Sequence, residues 1–151
     1  STRALAIAAM LVFVYFALVA GRAAYSHDVR VIDEEMVTAA HWIADNIPPR
    51  DLLAIHDIGA VGYFASRPIL DIAGLINPEV VPIYHDAEAL YALMQARRAR
   101  YLLAFPDQVP GEDVTDPRLC PVFTTGGQAA VSAGYQNMTV YALSWDGICS
   151  E

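Results

Sequence analysis

The sequence predicts an α/β fold: a layered, mostly parallel sheet with flanking helices, preceded by one N-terminal transmembrane helix. Three observations predict it. Ala4–Ala20 is a run of about 17 residues with no charge and no strongly polar group, near the lower limit for crossing a bilayer. Three short apolar runs, Leu52–His56, Ile69–Asp71 and Tyr101–Phe105, are each bounded by turn residues, as buried parallel strands are. Between them lie helix-period patterns, and a strand–helix alternation implies an α/β layer architecture.

Composition sets the outer limits. Hydrophobic residues make up 56% of the 151 and charged residues 17%, and the apolar excess is concentrated in Ala4–Ala20. Without that run the remainder has an ordinary globular balance, which excludes collagen, coiled coil and disorder. The formal net charge is −8 and every basic residue is Arg, with no basic stripe interleaved with aromatics, so nucleic acid is not a partner. Arg97, Arg98 and Arg100 read as a cationic last helical turn. Cys120 and Cys149 lack metal-ligand spacing but flank the final strand pair, so they can join if the domain lies outside the cytoplasm.

The apolar run has three readings. A transmembrane helix fits its length and the flanking Arg3 and Arg22. A signal peptide would use Val19-Ala20-Gly21 as its cleavage point. A buried core helix would show a polar face, which this run lacks. The transmembrane reading divides the chain into residues 1–25, helix and flank, and residues 26–151, a soluble α/β domain.

From Asp33 a second helix is predicted, with Asp33 as its cap and Met36, Val37, Ala40, Ile43, Ala44 and Ile47 as its apolar stripe. Asn46 and Pro48-Pro49 stop it. After the Leu52–His56 strand, Asp57-Ile-Gly59-Ala-Val-Gly62-Tyr63-Phe64 makes a turn and a short helix. The Ile69–Asp71 strand leads into the loop Gly74–Pro78. Asp86 caps a helix carrying Leu90, Leu93 and Met94. Pro110–Pro117 is a surface loop, and Leu119–Thr124 and Met138–Trp145 form a last, antiparallel pair at one edge. The parallel core is expected in the order Ile69–Asp71, Leu52–His56, Tyr101–Phe105.

Ligands of open α/β sheets bind beyond the carboxyl ends of the strands. Asp57, Asp71 and Asp107 fall at such ends, so His56, Asp57, Gly59, Tyr63, Asp71 and Gly74 form a candidate polar corner. Asp57 and Asp71 could act there as base or metal ligand, or could accept backbone N–H groups in turns with Gly59 and Gly74 opening the backbone. The Gly59–Gly62 segment lacks the first glycine of a dinucleotide fingerprint, and Asp57 would repel a pyrophosphate. Ser66 and Ser132 lie in no nucleophile elbow. His41 reads as a packed histidine, and Asn137-Met-Thr139 matches a glycosylation acceptor pattern that is common by chance.

Trp42-Ile43-x-x-Asn46-x-Pro48, Ala54-x-x-Asp57-x-Gly59-x-x-x-Tyr63-Phe64 and Leu70-Asp71-x-x-Gly74-Leu75-x-x-Pro78 together carry a resemblance. The chain resembles, over roughly residues 4 to 145, the last transmembrane helix and extracytoplasmic C-terminal domain of bacterial polytopic GT-C-type glycosyltransferases, similar to protein mannosyltransferases and aminoarabinose transferases. The resemblance implies a cell-membrane location with the soluble part extracytoplasmic. It also implies the lipid bilayer and the remainder of a polytopic membrane protein as partners, and a polyprenyl-phosphate sugar or its acceptor as ligand of the parent protein. The family's catalytic Asp lies in an early loop that no residue here matches, so no catalytic residue, metal or cofactor is carried over. Two other functions remain open: a cell-surface or periplasmic binding module anchored by one helix, and a small hydrolase or metal enzyme using His56, Asp57 and Asp71.

Overall fold

The computed structural model describes residues 2–149. Its first element is one continuous helix, α1, Thr2–Asn46, long and apolar enough to cross a membrane, with none of its most apolar stretch buried against the rest of the chain. Two separate helices, with Asp33 capping the second, are therefore corrected to one. The reason is local: no proline occurs between Gly21 and Pro48, and Gly21 itself keeps helical dihedrals (φ −63°, ψ −39°). Asp33 lies inside the helix, where its carbonyl accepts from the Thr38 hydroxyl at 3.0 Å. The division at residue 25 falls within unbroken helix. Two stretches, Ala17–Gly21 and Ile32–Val37, widen into π-type turns. At the end Ile47 turns extended (φ −101°, ψ 137°), as a residue before proline must. The buried Arg67 guanidinium then closes the corner, donating to the Ile47 and Pro48 carbonyls at 3.0 and 3.2 Å.

Beyond this corner come β1 (Leu53–Ile55), α2 (Ile58–Phe64), β2 (Ile69–Asp71), α3 (Ala87–Ala96), β3 (Tyr101–Ala104), β4 (Leu119–Thr124), α4 (Gln128–Ser132) and β5 (Thr139–Leu143). The sheet order is β2-β1-β3-β5-β4. β1 pairs in parallel with β2 and β3, so the parallel core has the order expected from the sequence. β5 pairs antiparallel with both β3 and β4. The sheet is thus mixed rather than mostly parallel. The chain passes from β3 to the far edge, forms β4, and returns through a local connection into the gap beside β3. A strand that returns locally runs against both its neighbours.

Strand alternation distributes the core over two faces. Leu53, Ile55, Leu103 and Val140 meet Ala39, Ala40 and Ile43 of α1 and Ile47 just beyond it, with Val61 of α2 completing this layer. Ala54, Leu70, Leu102 and Tyr141 meet Leu90, Tyr91 and Met94 of α3 on the other. Burying a side chain such as Ile43 contributes about 1.5–3 kcal/mol, which anchors the last turns of α1 in the core. Ala44, placed on the stripe by the sequence, is exposed instead. Arg118 lies over the Tyr91 ring at 3.7 Å and bonds Asp116 and Glu88, tying the loop before β4 to α3. Cys120 and Cys149 form a disulfide with Cα atoms 5.5 Å apart, fastening the tail to β4.

Candidate functional site at the carboxyl ends of the parallel strands

The chain leaves β1 for β2 on one side, then crosses to β3 on the other. That reversal opens a crevice between the carboxyl ends of β1 and β3, where α/β sheets receive ligands. His56 and Asp57 follow β1 directly, and the turn Pro106–Gln108 follows β3. The Gln108 amide spans the crevice. Its Nε2 donates to Asp57 Oδ2 at 2.7 Å, while the Phe105 N–H donates to its Oε1 at 3.1 Å, which fixes the amide's orientation. His56 Nδ1 lies 3.6 Å from Asp57 Oδ1, and His56 Nε2 is 3.1 Å from the Tyr84 hydroxyl. Above this chain of groups lies a cleft of about 240 Å³, walled by His56, Tyr84, His85, Asp107, Gln108 and Glu112.

The Asp57 carboxyl is held below the usual carboxylate range. The neighbouring His56 imidazole is the main cause, partial burial opposes it, and the Gln108 amide adds to the lowering. Asp57 stands at the N-cap position of α2 without capping it by its side chain, so the backbone-accepting role expected from the sequence is replaced by one across the crevice.

Asp71 does what Asp57 does not. It is fully buried, and its carboxylate accepts from the Ala73, Gly74 and Ile76 N–H groups at 2.8, 3.1 and 2.6 Å. Asn77 Oδ1 accepts from its backbone N–H at 2.9 Å, closing the loop on itself. Gly74 is needed there because its φ is +84°, and an added Cβ would press on Val81 Cγ2 at 3.1 Å.

The predicted corner therefore resolves into two networks. His56 and Asp57 belong to one, and Asp71 and Gly74 to the other. Gly59 lies within α2 with open space around it, so no tight turn requires it. Tyr63 sits at the far end of α2, 80% exposed and edge-on to Phe64, and joins neither network. His41 is exposed, its ring against Phe64 at 4.8 Å rather than packed in the core. Among the described residues no group of three or more His, Cys, Asp or Glu is placed to hold a metal ion, and both cysteines are joined in the disulfide.

Sequence reasoning missed Tyr84 and Gln108, and it missed a second polar cluster entirely. Glu35 is fully buried where α1 meets the Thr125–Met138 connection. It accepts from the Thr125 hydroxyl, from Asn137 Nδ2 at 2.7 Å and from the Met138 N–H at 2.8 Å. Glu34 accepts from the Ala129 N–H at 2.8 Å. Asn137, the matched acceptor asparagine, thus has its amide engaged, also donating to the Gly127 carbonyl at 2.8 Å. A signal was present: Glu35, Ala39 and Ile43 share a spacing of four, which puts a carboxylate on the apolar stripe.

A family described as a domain of unknown function (DUF8728) matches residues 22–147. No curated protein and no solved structure matches the chain.

Proposed function

The chain belongs to the DUF8728 family, and we propose that it is a membrane-tethered, non-catalytic domain serving a polyprenyl-phosphate-sugar-dependent glycosyltransferase. The observation that carries the tether is α1. Its apolar half has the length and composition of a membrane span, and its other half supplies Ala39, Ala40 and Ile43 to the core. Anchor and domain share one element.

The non-catalytic role is supported by what the carboxylates do. Asp71 spends its acceptors on its own loop, and Asp57 is held between Gln108 and His56. Three of the residues that carry the resemblance to GT-C enzymes have structural roles. Trp42 stacks on Phe123 with ring centroids 4.7 Å apart, Asn46 donates to the Trp42 carbonyl at 2.8 Å, and Ala54 is fully buried. An extracytoplasmic location is supported by the Cys120–Cys149 disulfide, since such bonds persist in oxidising compartments.

Two measurements test the reading. The full chain expressed in a bacterium should stay with the membrane after alkaline extraction, and its cysteines should resist alkylation until reduced. In a parent enzyme, Asp57→Asn and Asp71→Asn should lower sugar transfer only in proportion to folded protein. Transfer abolished with an unchanged melting temperature would overturn the non-catalytic role. The cleft of about 240 Å³ favours a second reading, a binding module anchored by one helix. Saturable binding of a cell-surface saccharide by the chain alone, lost in His56→Ala, would establish it.

A further inference from the structure

The arginines that follow α3 do more than complement its carboxyl end. α3 stops in a two-bond cap: the Arg98 N–H donates to the Gln95 carbonyl at 3.0 Å, and the Ala99 N–H to the Met94 carbonyl at 2.9 Å. The residue that turns this cap must enter the left-handed region, which glycine does without strain. Here that residue is Arg98, at φ +59°. Strain accepted at a position where glycine fits better points to a role for the side chain. Arg97 pairs with Glu79, whereas Arg98 makes no ion pair among the described residues. Arg100 reaches Asp51 only at 3.8 Å, beyond hydrogen-bond range, and its side chain is 69% exposed. A chain of net charge −8 thus leaves two guanidinium groups uncommitted on one turn.

Their surroundings form a receptacle. Arg98 and Arg100 line a cavity of about 290 Å³ together with Gln95, Leu143 and Trp145. Arg100, Leu143 and Trp145 also line an adjoining cavity of about 730 Å³, along whose wall runs the Cys120–Cys149 disulfide. Small-molecule sites occupy about 300–1,000 Å³. Trp145 is half-buried, packing against the core layer that holds Leu102 and Tyr141 while the rest of it lines both cavities. Asp146 shares the larger wall, but its Oδ1 accepts from the Ser144 hydroxyl at 2.6 Å and the Ile148 N–H at 3.2 Å within its own turn. The Arg100 N–H donates to the Leu52 carbonyl, and the Leu143 N–H to the Arg100 carbonyl, both at 2.9 Å. The receptacle therefore lies at the amino ends of β1 and β3, at the opposite end of the sheet from the crevice beside His56.

We propose that this receptacle binds an acidic saccharide, with a sugar ring against Trp145 and its carboxylate or phosphate on Arg98 and Arg100. A guanidinium presents paired N–H groups that match either acid group. An indole offers an apolar face and a polar N–H tip, which suits a ring with C–H groups on its faces and hydroxyls on its rim. A bare anion would use the arginines but not Trp145. An acidic peptide fits less well, because the free edge of β4 is interrupted by Pro121, which has no N–H to offer an added strand. The site is independent of the proposed parent enzyme.

The full chain in phosphatidylcholine nanodiscs is titrated by calorimetry with trigalacturonate, glucose 6-phosphate, neutral maltotriose and triaspartate. Saturable binding of either acidic sugar, about ten-fold or more tighter than maltotriose, is the expected result, and the tighter of the two identifies the acid group. No binding of either acidic sugar, equal binding of maltotriose, or tighter binding of triaspartate would overturn the proposal. Arg98→Gly separates the site from the fold. Glycine suits the cap, so the melting temperature should hold or rise, while affinity falls about ten-fold, as expected on losing one hydrogen bond to a charged group. Arg100→Gln should weaken binding to a similar degree. Arg30→Gln, which removes the same charge from an exposed position of α1, should leave affinity unchanged. Full affinity in Arg98→Gly, or an equal loss in Arg30→Gln, would remove the arginines from the site and the proposal with them.

Discussion

Asn137 donates to Glu35 at 2.7 Å across 102 residues of sequence, and it does so where the carboxylate is fully buried. The pair joins the helix that carries the apolar run to the Thr125–Met138 connection between β4 and β5. A buried carboxylate is tolerated because Thr125, Asn137 and Met138 donate to it together.

Removing that carboxylate orphans the buried Met138 N–H and one Asn137 amide hydrogen, while the Thr125 hydroxyl keeps the Met138 carbonyl at 3.2 Å. Glu35→Ala should therefore lower stability by about 3–5 kcal/mol, against about 1 kcal/mol or less for Glu34→Ala, whose single bond is only partly buried. Urea denaturation of the full chain in detergent, followed by near-ultraviolet circular dichroism, distinguishes them. Equal midpoints for the two variants would show that the Glu35 cluster does not hold the domain to α1.

Two glycines make an opposed pair. A Cβ on Gly127 would meet the Glu35 carboxylate well inside contact distance and Glu34 Cβ at 2.9 Å, so Gly127→Ala should destabilise by about 1–3 kcal/mol. Gly59 is helical with nothing within 4 Å of an added Cβ. Gly59→Ala should leave stability unchanged or raise it by up to about 1 kcal/mol. Thermal melting of both variants checks the signs.

Asp57 sets an acid limit. Its folded pKa lies below the unfolded value, so its contribution is fully present above about pH 4 and is lost as pH falls through the folded value. Asp116, lowered first by Arg118, acts in the same window and direction. Melting temperature should fall with acidification below about pH 4, and Asp57→Asn should make that fall shallower. An unchanged slope in the variant would remove Asp57 from the account.

The disulfide closes a loop spanning 29 positions. Loop entropy gives its loss about 3–4 kcal/mol as an upper bound, since the reduced tail can also fray without global unfolding. Cys120→Ser and Cys149→Ser should each lower the melting temperature by several degrees, and dithiothreitol should reproduce the shift in the unsubstituted chain. No shift in any of the three would mean that the closed loop constrains nothing.

Much of the sheet was legible because its signals are local. Leu53–Ile55, Ile69–Asp71 and Tyr101–Ala104 are apolar runs between turn residues, and their parallel order follows from crossover rules. The mixed character was only half legible: an antiparallel edge pair was expected, but its insertion with β5 against β3 depends on long-range packing. The continuity of α1 was misread because Asp33 resembles a cap, while what decides the matter is the lack of a breaker before Pro48. At the site, Asp71 announced its turn through the glycine three residues on. Gln108 gave no such sign, because its partner Asp57 lies 51 residues away and the bond exists only after β1 and β3 align.

The helix through Thr2–Asn46 makes the domain a pointer rather than a bead on a string. Asn46 stands about 38 Å beyond Gly21 at helical rise, so a 20° lean of the apolar segment, ordinary for membrane helices, would swing the far end of the domain by about 13 Å. Rotation of that segment about its own axis would turn the crevice beside His56 and Asp57 by the same angle, apart from whatever the two π-type stretches absorb. Lipid thickness and neighbouring helices would thereby steer the crevice without touching it.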